Sequence, residues 1–248
     1  MTGALAAQTP TTAPATTPVT TTTAPATDPR ALDLLQKMSQ FLAAANTLKF
    51  HAYAATEQLL NSGQRVEFAR NNAISVQRPN LLNVQISGDA DNLRFVYDGT
   101  QITLENLKTN VFGQIPMPPT LDGMFDTLAN THGLVIPLAD LVESNPYKAL
   151  APLIKSGTYL GTGYVFDTPC HHLAFRQAKV DWQIWIEQGA KPLPRKVVIM
   201  YDEPPCLQYT AYLSNWELDA PIANGTFAFA PKTNENMVDA LMPTTQPK

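Results

Sequence analysis

A chain of 248 residues, 44% of them apolar and only 15% charged, carries a net charge of −4. That length can bury a substantial core in one domain, and the acidic balance excludes the broad basic footprint of a nucleic-acid partner. No run approaches the roughly 20 apolar residues of a membrane-crossing helix, so no transmembrane segment is expected.

The opening "MTGALAAQTP" holds a small-residue Ala4-Leu5-Ala6 pattern of the kind that ends an export signal, without the charged and apolar parts that precede one. A trimmed export signal and an alanine-rich start both remain open. The first places the protein in the periplasm or otherwise outside the cytoplasm. Residues 1–27 are Thr/Ala/Pro-rich with almost no large apolar side chains, so they are expected to form a disordered tail or tether. One ordered domain is expected over 28–241, with 242–248 as a flexible tail.

At "DPRALDLLQKMSQFLAAAN", Asp28 suits an N-cap and Pro29 the first helical position. Leu32, Leu35, Met38, Phe41, Leu42 and Ala45 follow at helical spacing, which predicts an amphipathic helix. From Leu48 the period changes to two. "LKFHAYA", "GQRVEFARNNAISVQ" after a turn at Asn61-Ser62-Gly63, "LLNVQISG", and the hairpin "LRFVYDGTQITLEN" turning at Asp98-Gly99 read as successive antiparallel strands.

The middle of the chain breaks this rhythm. Leu121, Met124, Phe125 and Leu128 recur at helical spacing, and a second helical stretch is expected around Leu138 to Ser144. Strands resume with "TYLGTGYVF", "CHHLAFRQ", "DWQIWIE", "PRKVVIMY" and "LQYTAYLSNWEL", and "FAFAP" closes the ordered region. The expected class is α+β, mainly antiparallel β: a long meander with an N-terminal helix and a helical insertion at mid-sequence. Such a sheet either curls around a cavity with the insertion as lid or fills its core as an ordinary sandwich, and periodicity alone leaves both open.

The densest chemistry lies in "TPCHHLAFRQAKVDWQIWIEQG", residues 168–189. Neighbouring strand residues point to opposite faces, so His171 and His172 cannot both join Cys170 around one ion. His51 and His132 lie in remote segments without ligand spacing, and no metal or cofactor is expected. Cys170 and His172 share a face but stand about 6.5–7 Å apart along the strand, too far for a ready nucleophile and base. No catalytic residue is assigned. As a hairpin, the segment sets Arg176 opposite Asp181, His172 opposite Trp185, and His171 on the apolar face beside Ile186. The same strand order sends Cys170 and Cys206 to opposite ends of the sheet, beyond the reach of a disulfide.

"QRPNLLNVQISG" at residues 77–88, followed by "VYDGTQITLEN", resembles the Arg-Pro-Asn strand and Asp-Gly hairpin of the LolA/LolB periplasmic lipoprotein-carrier superfamily. "NGTFAFAPKTN" is similar to the Phe-x-Phe-x-Pro ending of that superfamily, and "CHHLAFRQ…DWQIWIE…PLPRKVVI" more closely resembles an uncharacterised predicted periplasmic family within it, domain of unknown function 2092. The resemblance implies a curved, unclosed half-barrel holding acyl chains beneath a helical lid, with Arg78 matching the arginine linked to lid closure. Without it, Arg78 reads as a solvated strand-end charge. Val84 departs from the aromatic residue usual near that position, which puts lipoprotein trafficking itself in question.

The leading expectation is an exported, non-enzymatic binding or carrier protein for a lipid, a lipoprotein acyl chain or another hydrophobic ligand. Leu82, Val84, Ile86, Trp182, Ile184 and Ile186 would face the ligand, with Arg78 and His171 at its edge and Leu121, Met124, Phe125 and Leu128 on the lid. An envelope lipoprotein or membrane-protein partner is compatible with this. A module binding a peptide or partner loop, and a Cys170/His172 enzyme, are the alternatives.

Overall fold

Asp28 begins the first helix by accepting the Arg30 N–H at 2.8 Å, and Pro29 opens α1 (Pro29–Ala43) without losing a helical hydrogen bond. The structure, a computed structural model, describes residues 27–239. Leu35, Met38 and Leu42 form the buried stripe of α1.

Strands β1 (Thr47–Leu59), β2 (Arg65–Gln77), β3 (Leu81–Gly88), β4 (Asn92–Tyr97), β5 (Gln101–Asn106) and β6 (Val111–Pro116) form one antiparallel meander. The insertion follows: α2 (Leu121–His132), a single 3-10 turn at Ala139–Leu141, α3 (Pro146–Leu150) and another 3-10 turn at Ala151–Leu153. A second meander comprises β7 (Ser156–Val165), β8 (Thr168–Arg176), β9 (Val180–Glu187), β10 (Pro194–Tyr201) and β11 (Gln208–Leu218). Pairing of β1 with β11 fuses the two into one 12-stranded sheet in the order β12-β6-β5-β4-β3-β2-β1-β11-β10-β9-β8-β7, where β12 is Asn236–Met237. The two ends, β12 and β7, do not meet, so the sheet is an open half-barrel and the filled two-sheet sandwich is excluded.

Several expectations need correction. The single long meander is two, because β11 returns to β1 instead of extending the edge. Strand β6 lies in "VFGQIP", where Gly113 and Pro116 weaken the alternation that marks the other strands. The second insertion helix shrinks to one turn. Pro146 disfavours helical backbone at Asn145, which instead caps α3 by accepting the Lys148 N–H at 2.9 Å. "FAFAP" does not close the ordered region, because the described chain runs on beyond it to β12, parallel to β6.

The helices cover one face of the sheet, here the inner face. Leu48, Phe50, Val76, Leu82 and Tyr97 meet α1 and α2 in one continuous core. The outer face of β3–β6 is crossed by residues 221–239. Arg94 donates to the carbonyls of Thr226 and Ala228 at 3.2 and 3.0 Å, Phe229 packs on Phe112, and Lys232 reaches the buried Glu105 carboxylate at 2.6 Å.

Candidate functional site: a lidded inner face

Alternation along β3 sends Leu82, Val84 and Ile86 to the inner face, and the register carries that row through Tyr97, Phe95 and Leu93 of β4. On the other half of the sheet, Trp182, Ile184 and Ile186 of β9 face the same way. The residues expected to line a ligand therefore share one face. Their exposure differs. Leu82, Trp182, Ile184 and Ile186 are buried, as are Leu121, Met124, Phe125 and Leu128 of α2, which pack into the same core. Val84 and Ile86 are half-buried.

Further apolar side chains are half-buried against this core, among them Phe95, Ile115, Leu134, Leu138 and Ile199. The sequence assigned none of these five to the ligand-facing set. Phe95 and Ile199 were legible in principle as inward positions of strands, whereas Leu134 and Leu138 lie in irregular chain where no period applies. Leu138 also contacts a smaller cluster of Ala54, Tyr209 and Ala211, so the insertion reaches across both meanders. Its φ is +69°, a strained conformation for a leucine.

Arg78 sits at the joint between sheet, helix and insertion. One guanidinium nitrogen donates to the carbonyls of Leu42 and Ala45 at 2.9 and 2.6 Å, and the other to the Glu143 carbonyl at 2.8 Å. The Leu42 and Ala45 carbonyls, at the end of α1, also favour a cation through the helix dipole. The third nitrogen, Nε, is buried without a hydrogen-bond partner among the described residues, and burial lowers the pKa of the group. Arg78 is thus no solvated strand-end charge. It ties α1 to the insertion.

A second tie lies beside it. The Asp122 carboxylate of α2 accepts the Ser144 N–H at 2.8 Å and the Ser144 hydroxyl at 2.5 Å. Burial pushes the Asp140 carboxyl up. Glu143 is pushed up to about 7, first by burial and then by Asp140, Asp122 and Asp126.

The hairpin around Cys170 has the expected register. Arg176 pairs with Asp181 in a two-point ion pair, and His172 stacks on Trp185 with ring centroids 3.9 Å apart. His172 Nε2 and Gln183 Oε1 are 2.8 Å apart. Cys170 is fully buried and its thiol pKa is raised by burial, so no thiolate is poised there for attack. His171, across from Ile186 on the inner face, is 3.2 Å from the Tyr159 hydroxyl. Cys170 and Cys206 are unpaired.

Among the described residues no group of three or more His, Cys, Asp or Glu side chains is arranged to hold a metal ion. No described helix is long and apolar enough to cross a membrane. A groove of about 450 Å³ lies away from the insertion, where the β1–β11 register slips between Lys49 and His51. Its walls include Lys49, His51 and Glu217, and none of the expected ligand-facing residues.

Residues 31–241 match the family described as "Predicted periplasmic protein (DUF2092)". No curated protein matches the chain. Among solved structures, an uncharacterized conserved protein from Thermus thermophilus is 10% identical with a TM-score of 0.48, covering 85% of this chain and 98% of its own. LprF from Mycobacterium bovis is 12% identical, with coverage of 80% and 97% and a TM-score of 0.44. The LolA superfamily protein NE2245 from Nitrosomonas europaea is 10% identical, with coverage of 80% and 96% and a TM-score of 0.40.

Proposed function

We propose, from the premise that this chain belongs to the DUF2092 family of predicted periplasmic proteins, that it is an exported, non-enzymatic binding or carrier protein for an acyl chain or similar hydrophobic ligand. One observation carries the reading. The inner face of the half-barrel is apolar across both meanders and is covered by a short insertion that Arg78 ties to the sheet and to α1 through the Glu143 carbonyl.

In this structure side chains of the insertion occupy the inner face, so a ligand must take their place. Leu121, Met124, Phe125, Leu128, Leu141 and Val142 are the buried apolar residues of the insertion, each contributing about 2 kcal/mol. A sixteen-carbon chain at about 0.8 kcal/mol per methylene supplies about 12 kcal/mol, comparable with their sum. The exchange is therefore close to balanced, as reversible loading requires. Val84, Ile86, Phe95 and Ile199, already half-buried, would meet the chain first, and His171 and Arg78 lie at its borders.

The test is native mass spectrometry of the purified protein together with uptake of a fluorescent C16 fatty acid. Co-purifying acyl lipid or saturable uptake supports the reading. A folded protein that carries no lipid and takes up no fatty acid, even with Arg78→Ala loosening the insertion, overturns it.

A further inference from the structure

Two buried side-chain atoms have no hydrogen-bond partner among the described residues, Arg78 Nε and Trp182 Nε1. The first belongs to a guanidinium that donates elsewhere, at the joint. The second is the only polar atom of its side chain. Trp182 is 6% exposed on the inner face, where a donor without an acceptor is costly and seldom occurs without a reason. Packing does not require it. Trp182 stacks on Phe175 with ring centroids 4.5 Å apart, a contact that a phenylalanine ring would also make.

The register sets Trp182 opposite Ile199 and Ile199 opposite Tyr209, so the three form a row across β9, β10 and β11. Both ends of the row are buried, and Ile199 between them is half-buried. Leu138 of the insertion and Ile199 both pack against the small cluster that contains Tyr209.

We propose that Trp182 Nε1 donates a hydrogen bond to the carbonyl oxygen of a fatty-acid ester, whose polar end takes the apolar seat over Ile199 once Leu138 withdraws. The inference rests on the carrier reading and adds the chemical class of the ligand. Withdrawal of Leu138 also releases its strained backbone, at a φ of +69°. Tyr209 borders the seat, and burial raises its pKa, so its phenol stays protonated and no negative charge faces the ester. An ionised carboxylate fits less well. The cation acting on Tyr209, Arg70, is already paired with Asp91, and a buried charge without a counter-ion is strongly disfavoured. A bare hydrocarbon leaves the indole N–H without an acceptor.

Displacement of a fluorescent C16 methyl ester from the intact 248-residue chain gives affinities for methyl laurate and dodecane, which differ in the ester group. Their ratio should fall about tenfold in Trp182→Phe and hold in Trp185→Phe, on the opposite face of β9. In the native chain, methyl laurate should move the Trp182 indole N–H resonance downfield and dodecane should not. A resonance that stays in place with methyl laurate bound, or a ratio unchanged in Trp182→Phe, overturns the donor and leaves the carrier reading standing. Uptake of the fluorescent C16 fatty acid without either ester does the same. Failure of every acyl probe, that fatty acid included, overturns both readings.

Discussion

Replacing Arg78 by alanine removes three charge-assisted hydrogen bonds at once, to Leu42, Ala45 and Glu143. At about 1.5–3 kcal/mol each the gross loss is about 4–9 kcal/mol. Two terms reduce it. The guanidinium no longer pays for desolvation, evident in its lowered pKa and unpartnered Nε, and the Leu42 carbonyl keeps the Ala45 N–H at 3.3 Å. A net loss of about 2–4 kcal/mol remains, most of it at the insertion. For a domain of this size that lowers the melting temperature by roughly 5–12 °C. Urea unfolding gives the global term, and limited proteolysis within 133–145 gives the local one. Arg78→Lys, with one ammonium for three carbonyls that need a planar fork, should recover less than half. Stability of Arg78→Ala within about 0.5 kcal/mol of the native chain, with unchanged cleavage, would refute the assignment of Arg78 as a tie.

Two other outcomes follow from packing and strand order. A Cβ at Gly157 would lie 2.7 Å from the Phe175 ring and 3.0 Å from Thr27, and Phe175 is itself stacked on Trp182 at 4.5 Å. Gly157→Ala should therefore cost about 1–3 kcal/mol by chemical denaturation, and a neutral effect would mean that Phe175 can yield. Thiol titration should count one rapidly reacting group in the native protein, Cys206, and two after unfolding without reductant, since Cys170 is buried and unbridged. Zero thiols on unfolding would contradict the strand order.

Much of the fold was legible because one sheet face is buried. Alternation in β1 to β5 and β7 to β11 fixes which side chains point inward, and two-residue spacing across the Cys170 hairpin gives its register directly. The β1–β11 joint was not legible. Nothing local in "LKFHAYA" names its partner from the far end of the chain, and a meander satisfies the same pattern. The site was half legible for a similar reason. Val84 and Trp182 declare their face by periodicity, but periodicity cannot say that Trp182 is buried while Val84 is left partly open. Leu138 and the Glu143 fastening belong to irregular chain, where position follows from tertiary contacts that no short window contains.

The segment that straps the outer face has a kinetic consequence. Each meander can form from neighbouring hairpins, a local and fast process, but the β1–β11 seam joins strands separated by roughly 150 residues. The Lys232–Glu105 contact and β12 close on the first meander later still in chain order. Until residues 208–239 have emerged, β1 presents an unpaired apolar-backed edge and Glu105 is left without its cation. Productive folding is thus gated by delivery of the last strands, and during synthesis or passage through a membrane the first half of the chain should be the species that a holding chaperone recognises.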